Sequence, residues 1–260
     1  MNISKLEQGT PEWLAERRGK ITGTKLKEVM GTPAARVGLI AELIAEEYAY
    51  SDVEFKELQQ KLLAEENGVK DDFEGGEEVA GPPKSRAMAR GNDKEPEAIA
   101  LFEEMTGKKV STHGLCISEE YPWLALSPDG LIETTVSGIT QKQVYTEAFE
   151  VKSPDTKTAV FNRLAKMIDK KETKLPASKQ TILGVPPEYI WQCVHYFIVN
   201  PDLKKLNFCI FDDRFKDQKN KLDIVVLDRD NEILQDKINK ATETLVSFRK
   251  DWLEWKAIIM

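Results

Sequence analysis

Histidine is almost absent from this chain: His113 and His195 are the two among 260 residues. That scarcity excludes a histidine-rich metal site of the kind zinc enzymes use. Cysteine is also sparse. Cys116, Cys193 and Cys209 are odd in number and far apart, so they form neither a disulfide framework nor a four-ligand iron–sulfur set. A reducing cytosol is the expected compartment. No apolar run approaches the roughly 18 to 20 residues that span a bilayer, so no membrane association is expected. The opening "MNISKLEQGTPEWL" lacks the charged-then-apolar pattern of a secretory leader. A P-loop is missing as well, which argues against ATP-driven action.

What is present is the composition of a soluble globular protein, 41% hydrophobic and 31% charged. The net charge of -7 speaks against a uniformly basic nucleic-acid binder, but that charge is unevenly spread. Asp52 to Glu78 holds ten acids and three lysines, whereas Lys157 to Lys179 holds seven bases and two acids. Lys157, Arg163 and Lys166 of that basic run are candidate DNA contacts.

Local patterns predict helices and strands in alternation. Thr10 and Pro11 open a first helix that ends at Gly19. The threonines of "ITGTKLKEVMG" cap a second, Thr24 among them, and an amphipathic pattern runs from about Val37 to Glu66. Residues 67–86 read as an acidic inserted loop. Asn92 or Asp93 caps a helix with Pro96 in its first turn. Strands are expected over 109–118, 123–134 and 143–152, then a helix over 156–171. "PPEYIWQCVHYFIVN" reads as a buried helix, where His195 is a packed residue. "KKLNFCIFDD" and "KLDIVVLD" read as strands, and a last helix covers 231–256. One α/β domain spanning 1–260 is expected.

One stretch carries chemistry. Asp129 sits at the proline–glycine corner of "SPDGL", and Glu150 and Lys152 flank Val151 on the returning strand. Alternation puts Glu150 and Lys152 on one face, pointing into a cleft, with Phe149 and Val151 on a buried face. If Asp129 ends the neighbouring strand, its carboxylate meets Glu150. Two adjacent carboxylates repel, and a divalent cation removes that repulsion. Carboxylate and carbonyl oxygens, including that of Val151, are ligands that Mg²⁺ or Mn²⁺ accepts. Lys152 would then orient the attacking water or stabilise charge on a scissile phosphate, so phosphodiester hydrolysis needs no histidine.

"SPDGL" followed by "FEVKSP" resembles the phage lambda exonuclease family, also called YqaJ-type viral recombinases, of the PD-(D/E)xK nuclease superfamily. "RRGKITGTKL" looks like the family's N-terminal arginine–glycine motif. "RGNDKEPEAIALFEEMTG" resembles its glutamate-bearing helix, and "YIWQCVHYFIV" its glutamine-bearing helix. The resemblance implies a restriction-endonuclease-like core, a central mixed β-sheet flanked by α-helices. It implies Asp129 and Glu150 as principal metal ligands, Glu95 as a further acidic ligand, Lys152 as catalytic lysine and Gln192 near the site. It also implies a pocket for a 5′-phosphate built from Arg18, Thr24 and Ser127. The implied activity is Mg²⁺-dependent digestion of the 5′-ended strand from double-stranded DNA ends, with Mn²⁺ substituting. The 3′ single strand left behind serves phage-type recombination by annealing. A trimeric ring, a single-strand annealing partner and the cytoplasm of a bacterial host follow from the same resemblance. Two departures stand out. Val194 occupies the place of a usual second glutamine, and the tract between Asp129 and Glu150 is long. A restriction-type endonuclease with the same metal site is the competing enzyme reading, and a catalytically silent DNA-binding module the competing non-enzyme one.

Overall fold

The computed structural model describes residues 1–48, 86–132, 144–168, 175–176 and 179–260, with the backbone alone for 86–93. In chain order the elements begin with β1 (Asn2–Ile3), α1 (Pro11–Arg17), α2 (Leu26–Val29), α3 (Pro33–Tyr48) and α4 (Arg86–Thr106). Five strands follow: β2 (Val110–Ser111), β3 (Cys116–Ile117), β4 (Ala125–Leu126), β5 (Gly130–Ile132) and β6 (Glu147–Lys152). The remainder is α5 (Thr156–Met167), α6 (Ile190–Val199), β7 (Lys205–Phe211), β8 (Leu222–Asp228) and α7 (Glu232–Ile259).

A five-stranded mixed sheet, in the order β2-β5-β6-β7-β8, forms the centre. All its neighbours are antiparallel except β6 and β7, which run parallel from Glu147↔Lys205 to Lys152↔Ile210. A parallel pair requires a crossover, and α5 and α6 supply it. A smaller antiparallel sheet, β1-β3-β4, stands beside the first. Helices cover both faces of the central sheet. Ala98, Leu101 and Phe102 of α4 pack on Phe149, Val151, Cys209 and Phe211. On the opposite face, residues of α6 and α7 including Phe197, Leu245 and Phe248 pack with Ala148, Leu206 and Phe208. This is the expected mixed α/β architecture.

Local chemistry explains most boundaries. The Thr10 hydroxyl accepts the Trp13 N–H at the start of α1, and Asn231 caps α7 by accepting from Ile233 and Leu234. α3 begins four residues earlier than its apolar pattern suggests. Thr32 accepts the Ala35 N–H at 3.2 Å and Pro33 takes the first helical position, a start signal that the periodicity masked. α4 runs back to Arg86, so Asn92 and Asp93 lie within the helix and Pro96 in its interior. Pro96 thus removes one internal hydrogen bond instead of opening the first turn. α2 is a single four-residue turn whose N-cap is Lys25, which makes no side-chain cap bond; Thr24 directly precedes that cap.

Two expected strands are each divided. The 109–118 stretch becomes β2 and β3, and the 123–134 stretch becomes β4 and β5 joined by Ser127–Pro128–Asp129. Pro128 has no N–H to give a ladder, and the chain changes sheets there. The continuation of α3 towards Glu66, residues 67–85 of the acidic loop, and 133–143 of the tract before Glu150 lie outside the described residues.

Phe149 is fully buried in β6, with its ring centroid 4.9 Å from that of Phe102. Phe149→Ala should cost about 3–5 kcal/mol, read from urea unfolding. A loss below about 1 kcal/mol would show that this face does not depend on the contact.

Candidate active site

Asp129 sits one residue before β5, where the chain passes from the small sheet into the large one. The β5–β6 ladder stops at Gly130↔Phe149. Beyond it, the Asp129 carboxylate takes over: Oδ2 accepts the Val151 N–H at 2.8 Å. One hydrogen bond thus ties Asp129 to the residue between Glu150 and Lys152. The Glu150 Oε1 lies 2.7 Å from the Lys152 ammonium, and both residues are buried. The face assignment for Phe149 and Val151 holds. The cleft does not: Glu150 and Lys152 lie beneath α6 instead of lining open solvent, while Asp129 is half-buried.

α6 is apolar on nearly every side, as a buried helix must be. Its two polar positions facing β6 are one turn apart. Gln192 Nε2 donates to Glu150 Oε1 at 2.8 Å, and the Tyr196 hydroxyl donates to Oε2. Gln192 therefore reaches Glu150 without a second glutamine, and Val194 is buried in the core. Tyr196 is the contact that sequence reasoning missed; its i, i+4 spacing from Gln192 is the signal that was available. His195 is packed as expected. Its Nε2 contacts the Ala125 carbonyl at 2.8 Å, and burial pulls its pKa down to about 4.

Three carboxylates share this field. Burial, and then the charge of Glu150, push the Asp129 carboxyl well above the ordinary range. The same causes in the same order raise Glu95 of α4 to about 7, with Lys152 acting in the opposite sense. Among the described residues no trio of His, Cys, Asp or Glu is already gathered as a metal cluster. The donor set still fits a hard divalent cation. Its ligands are oxygens, and their mutual repulsion is the kind that bound positive charge relieves. Within the protein, the Lys152 ammonium offsets part of that repulsion.

A second constellation stands next to the first. The segment after α1 runs alongside β4, with Ile21 N–H donating to the Trp123 carbonyl at 2.9 Å and Ala125 N–H to the Ile21 carbonyl at 3.0 Å. This lays α1 against Ser127. The arginine that reaches Ser127 is Arg17, whose Nη1 donates to Oγ at 2.6 Å while its guanidinium stacks 4.5 Å from the Trp13 ring centroid. Arg17 is buried; Arg18, the expected residue, is half-buried at the C-cap of α1. The spacing of Trp13 and Arg17 on one helix face distinguishes the two. Thr24 is half-buried two residues before α2, and its carbonyl accepts the Lys27 N–H at 3.3 Å. α2 is one turn long, as the short helix expected there.

The basic run divides. Lys166 pairs with Asp223 Oδ1 at 2.6 Å, and Arg163 lies 4.6 Å from the Phe215 ring centroid and donates to the Asn220 carbonyl. Both tie α5 to the β7–β8 region. Lys157 is exposed and lines a cavity at the start of α5. Lys170, Lys171 and Lys174 lie outside the described residues.

The shift at Glu95 predicts a pH dependence. Its folded value of about 7 exceeds the ordinary 4.5, so the folded protein keeps a proton that the unfolded chain has released. Stability of the metal-free protein should fall as pH rises through that window. Glu95→Gln should flatten that part of the urea-midpoint profile. An unchanged slope would remove Glu95 from the carboxylate cluster.

A family model of the YqaJ-like viral recombinase domain matches residues 12–201. Among solved structures, an alkaline exonuclease (LHK-Exo) from Laribacter hongkongensis and LHK-Exo in complex with dAMP are similar in fold. Each is 23% identical with a TM-score of 0.57, covering 96% of this chain and 98% of the other. No curated protein matches. The family match takes in Arg17, Glu95, Asp129, Glu150, Lys152 and Gln192, and the chain belongs to the YqaJ-like viral recombinase family.

Proposed function

We propose that this chain is a divalent-metal-dependent deoxyribonuclease that enters at double-stranded DNA ends. It digests the 5′-ended strand in the 5′→3′ direction and leaves 3′ single-stranded DNA for recombination by annealing. Family and fold support a phage-type exonuclease. The observation that carries the reading further is the joining of Asp129 to the Glu150–Lys152 pair through the Val151 amide, with Arg17 and Ser127 alongside.

Asp129 and Glu150, with Glu95 and the Val151 carbonyl, would hold Mg²⁺, and Mn²⁺ would substitute. A bound cation of this kind supplies Lewis acidity and neutralises phosphate charge. The protein's own groups do the rest. Gln192 and Tyr196 hold both Glu150 oxygens in a fixed orientation. Lys152 places its ammonium where charge develops on the phosphate and where a water can be oriented. Water attacks phosphorus, the P–O3′ bond breaks, and the 3′ oxygen takes up a proton. The shortened strand then carries a new 5′-phosphate, and Arg17 with Ser127 offers it a charge-assisted grip. Arg18 and Thr24 flank that grip in sequence. Of the basic run, Lys157 is the exposed candidate for the DNA backbone, whereas Arg163 and Lys166 are engaged by Asn220 and Asp223. The family resemblance implies a homotrimeric ring, and enclosing DNA would help an acidic protein stay on it without relying on phosphate attraction alone. A single-strand annealing protein is the matching partner, in the cytoplasm of a bacterial host.

Alanine at Asp129, Glu150 or Lys152 should lower digestion of linear duplex by at least about 10²-fold with folding intact; near-normal turnover in any of them would refute its role. EDTA should stop the reaction, with Mg²⁺ restoring it. Arg17→Ala should hurt digestion of 5′-phosphorylated ends more than Arg18→Ala does, and equal loss on hydroxyl ends would dismiss the phosphate grip. Duplexes labelled at either end give the polarity. Ready cutting of closed circular plasmid would instead favour a restriction-type endonuclease.

A further inference from the structure

A cavity of about 480 Å³ opens between α5 and the segment leading into α6, a volume within the roughly 300–1,000 Å³ usual for small-ligand sites. α5 lines it through Lys157, Phe161 and Asn162, and the segment leading into α6 lines it through Lys179, Thr181 and Glu188. Glu188 directly precedes Tyr189, whose ring centroid is 5.7 Å from the Lys152 ammonium. One lining residue is thus the sequence neighbour of a ring that faces the Lys152 ammonium, and of the cavity's residues only Lys157 enters the function proposed above.

Its chemistry is specific. Asn162 is 5% exposed, and its Nδ2 has no hydrogen-bond partner among the described residues. A buried donor of this kind is unfavourable alone and is satisfied when a ligand presents an acceptor. Phe161 is 36% exposed, with the Lys179 ammonium 5.9 Å from its ring centroid. Lys157 adds a second exposed ammonium. Two acids, Asp155 and Glu188, also line the cavity. Asp155 is committed to the first turn of α5, where its oxygens accept the Thr158 N–H at 2.9 Å and hydroxyl at 2.7 Å. An open aromatic face, two ammonium groups and an unpaired amide donor match the three parts of a nucleotide: base, phosphate and polar edge.

We propose that this cavity is a nucleotide subsite. A base stacks on Phe161, Lys157 and Lys179 take the adjoining phosphate, and Asn162 Nδ2 donates to an acceptor of the same nucleotide. The assignment rests on the reading of the chain as acting on DNA. A nucleotide within a strand and a released mononucleotide share this chemistry, so both serve as probes.

The test is equilibrium binding by the full chain in EDTA, so that no hydrolysis intervenes. One arm uses a labelled single-stranded oligonucleotide, the other dAMP. Phe161→Ala and Asn162→Leu should weaken binding by about 5- to 150-fold; the arm that responds identifies the source. Unchanged affinity of both variants for both probes would overturn the proposal. Photocrosslinking of wild-type protein to an oligonucleotide carrying 5-bromodeoxyuridine covers the case in which a variant does not fold. Attachment within 157–162 supports the subsite, and attachment only elsewhere overturns it. The two readings fail separately. Digestion of duplex with both variants binding normally removes the subsite alone. Phe161-dependent binding without any digestion by wild type removes the nuclease reading and leaves the subsite.

Discussion

Like charges that must stay close impose the central constraint on this fold. Burial and then the charge of Glu150 raise the proton affinity of both Asp129 and Glu95, and water would separate these carboxylates if the backbone allowed it. The backbone does not. Val151 gives its N–H to Asp129, and β6 is fixed on its other side by parallel pairing to β7 along its whole length. α6 then closes over Glu150 with Gln192 and Tyr196, while α4 presses Phe102 onto Phe149 from the opposite face. Lys152 supplies the charge that makes the arrangement tolerable in a buried place. An ion pair so deeply buried adds little to stability compared with apolar packing, which is consistent with the chemical role proposed for it.

The Arg17–Ser127 contact stands beside a second buried charge network. Glu46 of α3 accepts the Gly19 N–H at 3.1 Å and the Lys25 ammonium at 2.6 Å, and Lys25 also meets Glu42 at 3.1 Å. The segment between α1 and α2 is thereby pinned at both ends. Gly19 has φ of +61°, and a Cβ there would fall 2.5 Å from Glu47 Oε1. At Gly23 a Cβ would sit 3.0 Å from Gln192 Cγ, so the same segment packs against the helix that orients Glu150. Arg17, Ser127 and Glu150 are thus held by one connected set of contacts, and the proposed 5′-phosphate grip and hydrolytic centre share a frame.

The parts of this account legible in sequence are those set by periodicity. Alternation along β6 sorted Phe149 and Val151 from Glu150 and Lys152, and the Asn231 cap and the all-apolar α6 were readable for the same kind of reason. Choices between chemically equivalent neighbours were not. Arg17 and Arg18 are identical in type, and only the Trp13 stacking and the path of α1 past β4 show that Arg17 donates to Ser127. Tyr196 reads as one more apolar residue of a buried helix until Glu150 is placed beneath it. The division of 123–134 into β4 and β5 depends on Pro128 falling where the chain changes sheets. The cavity residues Phe161 and Asn162 are brought to Lys179 and Glu188 by the crossover, a long-range packing that no local pattern encodes.

The central proposal is that Asp129 and Glu150, with Glu95 in the same field, take a divalent cation. Titration of Mn²⁺ into the protein, followed by the electron paramagnetic resonance signal of free Mn²⁺, addresses it without any DNA. Wild type should remove Mn²⁺ from solution saturably and in competition with Mg²⁺, and Asp129→Asn and Glu150→Gln should each abolish that uptake. Equal uptake by all three proteins would contradict the account.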